Sequence, residues 1–294
     1  MDNSQYENYI KAGKIAANVR EYGKGLIREG ASILVICKKV EERIFELNAM
    51  PAFPAQISLN DVAAHYCPDS EDKVILKEQV VSLDVGVHID GCIGDTAVTI
   101  DLSGKYSELI KASNKALDNA IEIVVPGVTL GDIGREIEET INSFSYNPVR
   151  NLSGHALSDY NVHTNPSIPN YDTKDRTQLS EGQIIAIEPF ATTGSGRVIE
   201  RGYPTVFSMK TSPRMRLGFV AEIVKTIESY NGLPFTTRWL TEKFSIPQVE
   251  FAITKLLQQD SLTAYPPLVE ASNGIVSQSE HSIIVGEKIK ILTE

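Results

Sequence analysis

The chain reads as a mixed α/β protein of the α+β kind, with a central antiparallel sheet covered by helices. Three observations carry that expectation. First, Val80, Val81, Leu83, Val85, Val87 and Ile89 lead into Asp90-Gly91, and Cys92, Ile93, Ala97, Val98 and Ile100 lead away, which is the pattern of a hairpin closed by a tight turn. Second, amphipathic helical patterns lie on both sides of that hairpin. Third, 294 residues with 42% hydrophobic composition are ample for one large domain, or one domain carrying an insertion.

The elements follow in order. Ile10, Ile15, Val19, Leu26 and Ile27 recur among charges from Tyr6 to Arg28, and Gly30 ends that helix. A second helix is expected after Ser32, with Ile33, Ile36, Val40, Ile44 and Leu47 at spacings of three and four, breaking before Pro51. A strand then runs to Asn60, ahead of the hairpin. Tyr106 to Val124 is helical, stopped by Pro126-Gly127, and Thr129 caps the next helix, which carries Leu130, Ile133, Ile137 and Ile141. Gln183 to Phe190, QIIAIEPF, is a buried-strand pattern ending in Glu188-Pro189. Phe219 to Ile227, Thr237 to Phe244 and a stretch from Ile246 to Leu257 are three short helices, followed by an extended segment from Leu262 to Val269. Val276 to Val285 is a strand bearing Glu280, and a last strand passes through Ile289 and Leu292.

Composition excludes several classes. A net charge of −10 and a pI near 5.1 argue against a broad nucleic-acid-binding face. Cys37, Cys67 and Cys92 show no CxxC spacing, so neither a disulfide framework nor a zinc-thiolate site is expected, and a reducing cytoplasm fits. No apolar run is long enough to span a bilayer, and the N-terminus has no signal segment.

The chemistry starts at the hairpin. With Asp90-Gly91 as its loop, Gly86 sits opposite Asp95 and Asp84 is a diagonal neighbour on the same face. Two solvated aspartates at an exposed hairpin end are the commoner arrangement. Two carboxylates side by side on an apolar strand need a cation between them. Downstream lie Gly154-His155, Glu188-Pro189 and Ser279-Glu280-His281, each an oxygen or imidazole donor in or beside an apolar run. Glu188 before its proline suits a metal ligand or a general base. Alone, His65 and His163 read as ordinary loop or surface histidines. Strand alternation turns His281 away from Glu280's face.

The ordered set Asp84, Asp95, His155, Glu188 and Glu280 resembles the five-ligand dimetal site of the methionine aminopeptidase family, which has the pita-bread fold. Tyr265-Pro266-Pro267-Leu268 matches a family segment as well, and Gly94 departs from the alanine commoner in relatives. Glu280 lies 92 positions after Glu188, a step that resembles the type II, archaeal-type branch. The resemblance divides the chain into a pita-bread domain, 1–208 and 267–294, and an inserted winged-helix-like subdomain, 209–266, that roofs the site rather than binding DNA.

It also implies roles. Asp84 binds one divalent ion, His155 and Glu188 bind the other, and Asp95 and Glu280 bridge them. Four carboxylates and one imidazole suit manganese, iron, cobalt or zinc. Glu188 moves a proton, His163 polarises the scissile carbonyl, and His65 lies beside the scissile bond. Phe53, Val162, Tyr265 and Leu268 wall a pocket for methionine. The implied activity is release of N-terminal methionine from nascent proteins and peptides by hydroxide that the ion pair activates, in a cytoplasmic monomer with transient ribosome association left open. Rival readings are a Xaa-Pro dipeptidase of the same fold and a non-catalytic pita-bread binding protein.

Overall fold

The computed structural model describes residues 2–213 and 218–294. Helix α1 (Asn3–Leu26) begins on a capping box formed by Asp2 and Gln5. Helix α2 (Ile33–Glu46) begins on Ser32, whose hydroxyl accepts from the Val35 N–H. Both lie on a sheet whose long member, Val80–Ile89, pairs along its whole length with Cys92–Asp101. The other edge of Val80–Ile89 takes Gln56–Leu59 and Met50–Pro51 at different stretches. Val19, Ile36, Val40, Leu83 and Val85 fill the space between. Small residues on α1 allow an unusually close approach. A Cβ on Gly94 would lie 2.7 Å from the Gly13 Cα, so the glycine of the hairpin is what lets the helix backbone touch it.

A second helix pair covers a second sheet. Helices α3 (Ser107–Ile123) and α4 (Leu130–Ser143) bury Leu109, Ile133 and Ile137 against Ile185, Ile187 and Ile283. Thr129 caps α4 through the Asp132 N–H, as its sequence position predicts. The strand order below is Lys290–Ile291, His281–Ile284, Ile184–Ile187, Ser153–Ser158, Asn161–Pro169, antiparallel throughout.

Two expectations change. The strand expected over Val276 to Val285 is two strands: Val276–Gln278 pairs with Phe190–Thr192, and His281–Ile284 pairs with Ile184–Ile187. Both partners switch sheets together, Glu188-Pro189 facing Ser279-Glu280 at the break, and Pro189 has no N–H to continue a ladder. The helix expected over Thr237 to Phe244 spans only Thr237–Thr241, because a tighter turn, in which the Lys243 N–H donates to the Leu240 carbonyl, follows it.

The two sheets are joined by hydroxyls and by one backbone bond, from the Glu280 N–H to the Ala97 carbonyl at 3.2 Å, rather than by a continuous ladder. Thr96 Oγ1 donates to the Glu280 carbonyl at 2.8 Å, and Ser282 Oγ both accepts from the Asp95 N–H at 2.9 Å and donates to the Asp95 carbonyl at 2.8 Å.

Helices α5 (Gly218–Glu228), α6 (Thr237–Thr241) and α7 (Ile246–Gln258) share a small core of Val220, Ile223, Leu240, Val249 and Leu256. Phe235–Thr236 and Leu262–Tyr265 flank Val206–Met209 beside it. Residues 214–217 of the expected insertion lie outside the described residues. Arg238, only 2% exposed, donates to both oxygens of Glu41 on α2 at 2.7 and 2.8 Å, and Trp239 Nε1 adds a third bond at 2.9 Å.

Candidate metal centre

The hairpin sets the first two donors. Asp90 and Gly91 both adopt positive φ, 48° and 89°, which matches strand twist in a two-residue turn, and Ile89 pairs with Cys92. The register therefore places Gly86 opposite Asp95 and Ala97 opposite Asp84, as the sequence predicts. The third donor comes from the second sheet. A Cβ on Gly154 would stand 2.3 Å from the Ala186 carbonyl oxygen, so only glycine lets this strand press against its neighbour and bring His155 to the floor of the cavity. Glu188 and Glu280 arrive from the paired strand breaks.

The structure brings all five together. Donor atoms of Asp95, His155 and Glu280 lie within 4.8 Å of one another. His155 Nε2 stands 3.8 Å from Asp95 Oδ2 and 3.6 Å from Glu188 Oε1, while its Nδ1 faces the Ala156 carbonyl at 3.4 Å. Asp84 and Glu188 line the same cavity, of about 230 Å³. Asp84 Oδ1 and Asp95 Oδ1 are buried with no hydrogen-bond partner among the described residues. An orphaned carboxylate oxygen in a protein interior costs free energy that a cation offsets.

The electrostatics agree. Burial pushes Asp84 up to about 7. Burial, then neighbouring carboxylates, push Asp95, Glu188 and Glu280 well above the ordinary carboxylate range. Burial, reinforced by His163, lowers His155 to about 3, which leaves it a neutral imidazole as metal ligation requires. The donor set, all oxygen and imidazole, fits hard or borderline divalent ions.

The remaining sequence candidates line the same cavity. His65, His163, Phe53, Val162, Tyr265 and Leu268 all contribute to its wall. His65 sits at φ 66°, a left-handed conformation uncommon for histidine, with its ring edge-on to Tyr265 at 5.7 Å. The His155 and His163 rings are 4.5 Å apart. His163 is exposed to the cavity, yet the surrounding protein still lowers its pKa by desolvation. His281 turns away and meets Thr293 Oγ1 at 2.8 Å, as alternation predicts.

Sequence reading missed Gln56, Gln278 and Pro234 on the cavity wall. Gln56 stands directly opposite Asp84 across the strand pair, so period-two alternation from Asp84 and a known register would have found it. It placed Gly86 opposite Asp95 but missed its contact with Phe53. A Cβ there would fall 2.2 Å from the Phe53 ring, so this glycine makes room for the ring.

A family model, that of metallopeptidase family M24, matches residues 7–221. The chain belongs to metallopeptidase family M24. As an M24 protein it is 45% identical over 287 residues to the methionine aminopeptidase of Archaeoglobus fulgidus, an alignment covering 97% of each chain. The crystal structure of methionine aminopeptidase from Thermotoga maritima matches with a TM-score of 0.74 at 25% identity, covering 100% of this chain and 98% of that one. The prolidase from Pyrococcus furiosus shares the M24 chain's fold at a TM-score of 0.65 and 19% identity, but only 64% of that chain is covered. Family membership and the buried Asp/His/Glu cluster together mean that this M24 protein uses divalent metal.

Proposed function

We propose that this chain is a type II methionine aminopeptidase that removes N-terminal methionine from nascent proteins and peptides in the cytoplasm. Supporting the activity is 45% identity, over almost the whole chain, to a methionine aminopeptidase. The observation that supports the site is five donor residues lining one cavity, with an oxygen of Asp84 and one of Asp95 buried without a hydrogen-bond partner among the described residues. Supporting the type II branch is the 92-residue step from Glu188 to Glu280, which holds α5, α6 and α7.

Asp84, Asp95, His155, Glu188 and Glu280 would hold the ions, as the family resemblance implies, and four carboxylates balance about two divalent charges. Manganese, iron, cobalt and zinc suit these donors. When bound, such ions supply Lewis acidity and a water made acidic near neutral pH. The residues do the rest. Glu188 passes a proton to the leaving amine. His163, kept neutral, offers an N–H to the scissile carbonyl, a contribution worth about 100- to 1,000-fold in rate. His65 borders the scissile bond, and Phe53, Val162, Tyr265 and Leu268 enclose an unbranched side chain.

The test is methionine release from a Met-Ala-Ser peptide by stripped protein given each ion singly, with an Ala-Pro peptide alongside. Ion-dependent release is expected, reduced about 100-fold or more by His163→Ala and abolished by Glu280→Ala. Cleavage of Ala-Pro alone would assign a Xaa-Pro dipeptidase, and no cleavage by folded, ion-loaded protein would assign a binding role.

A further inference from the structure

Gln278 lies at the end of the Val276–Gln278 strand, two residues before Glu280, and is 2% exposed. Its Nε2 reaches Glu188 Oε2 at 3.3 Å. Gln278 lines the same cavity as Asp84. A primary amide donates through its N–H groups, and here it donates to a carboxylate. What is left over is informative. Glu188 keeps Oε1, which stands 3.6 Å from His155 Nε2.

The backbone of Gln278 is fixed with equal care. Thr99 Oγ1 donates to the Gln278 carbonyl at 2.7 Å and accepts from the Gln278 N–H at 2.9 Å. Its one hydrogen is thereby used, so Ser82 Oγ, 2.8 Å away, must be the donor to the remaining lone pair. A single hydroxyl replaces the strand neighbour that Gln278 would otherwise need at the sheet break.

We propose that Gln278 is a positioning residue for the metal centre: its amide ties up Glu188 Oε2, so that Glu188 turns its other oxygen, the one beside His155, to an ion. The pairing acts as a strut. Thr99 is on the hairpin and Glu188 directly follows the Ile184–Ile187 strand of the second sheet, so Gln278, held by the first and donating to the second, fixes the spacing between them. Glutamine suits the task because a neutral donor adds no fifth negative charge to the four already there. Partners that orient ligands in this way are worth about 10- to 100-fold in metal affinity.

This inference rests on the five-residue ligand reading, and the experiment separates the two. Cobalt(II) is titrated calorimetrically into metal-stripped wild type, Gln278→Met, Thr99→Val and Thr99→Ser, and the visible absorption of each cobalt-loaded protein is recorded. Methionine keeps the length and removes the donor. Gln278→Met is expected to keep the wild-type circular dichroism, to bind cobalt about 10- to 100-fold more weakly, and to show an altered cobalt spectrum as the freed oxygen changes coordination. Thr99→Val is expected to shift both readouts the same way, and Thr99→Ser to restore them. Wild-type affinity and spectrum in Gln278→Met would overturn the proposal while leaving the ligand reading standing. Should Gln278→Met not fold, equal affinity in all three Thr99 proteins would overturn it instead. No cobalt uptake by folded wild type would remove the ligand reading and this proposal together.

Discussion

A single methylene decides the shape of the cavity. Phe53 packs against the hairpin only because Gly86 has no Cβ. Gly86→Ala is expected to drive the ring into the cavity, destabilise the protein by about 1–3 kcal/mol, and raise KM for methionyl peptides about tenfold. Ion affinity measured by calorimetry should stay within error, since Gly86 holds no donor. Glu270 shows the opposite kind of control. Burial alone would raise its pKa, but hydrogen bonds from Ser195, Ser272 and Gly274 outweigh it and hold the carboxyl down to about 2, from an ordinary 4.5. The folded protein therefore keeps Glu270 ionised where the unfolded chain has taken up a proton. Its contribution to stability is complete above pH 4.5 and is lost as pH falls through 2. Urea unfolding across that window should be less pH-dependent in Glu270→Gln than in wild type.

Among elements, the short helix α6 matters beyond its length. It carries Arg238, whose guanidinium closes on Glu41 of α2, and Glu41 in turn accepts the Ala55 N–H at 3.1 Å, just after Phe53. One buried carboxylate thus joins α2, the pocket-forming loop and the Gly218–Gln258 helices. Arg238→Ala would leave Glu41 charged and unpaired in the interior. The expected loss is about 3–5 kcal/mol in unfolding free energy by denaturant titration. Arg238→Ala with Glu41→Leu should recover part of that loss, because an apolar pair needs no counter-charge.

At the scale of the molecule, two helix-covered sheets are held in register by Thr96 and Ser282, Thr99 ties the hairpin to the Val276–Gln278 strand, and the carboxylates meet where the sheets join. That junction is under strain until cations arrive. With Asp84 raised from 3.8 to about 7, the folded ion-free protein binds more protons than the unfolded chain between those values. The stability this confers is present below pH 3.8 and is lost as pH rises through 7. Adding manganese(II) to stripped protein should raise the melting temperature more at pH 7.5 than at pH 5.5, where protons compete for the carboxylates. At an ion concentration 100 times Kd the gain is about 2.7 kcal/mol. A shift that is equal at both pH values would show that the carboxylates are not what the ion meets.

The hairpin was legible because its information is local. Alternation fixes faces, and Asp90-Gly91 fixes the turn, so the relation of Asp84 to Asp95 follows from seventeen consecutive residues. The helix starts at Ser32 and Thr129 were legible for the same reason. His155, Glu188 and Glu280 were readable through the spacing and context of a family pattern, which says what is present without saying how it converges. Only the tertiary structure decided the rest. Whether the strand around Glu280 continues or breaks depends on Glu188-Pro189 facing it, 92 positions away in the chain. The amide of Gln278 acquires meaning only beside Glu188, and Arg238 only beside Glu41, 197 positions earlier. Periodicity and turn chemistry act over a few residues, whereas the pairing of buried polar groups is settled by which distant segments the packed sheets bring together.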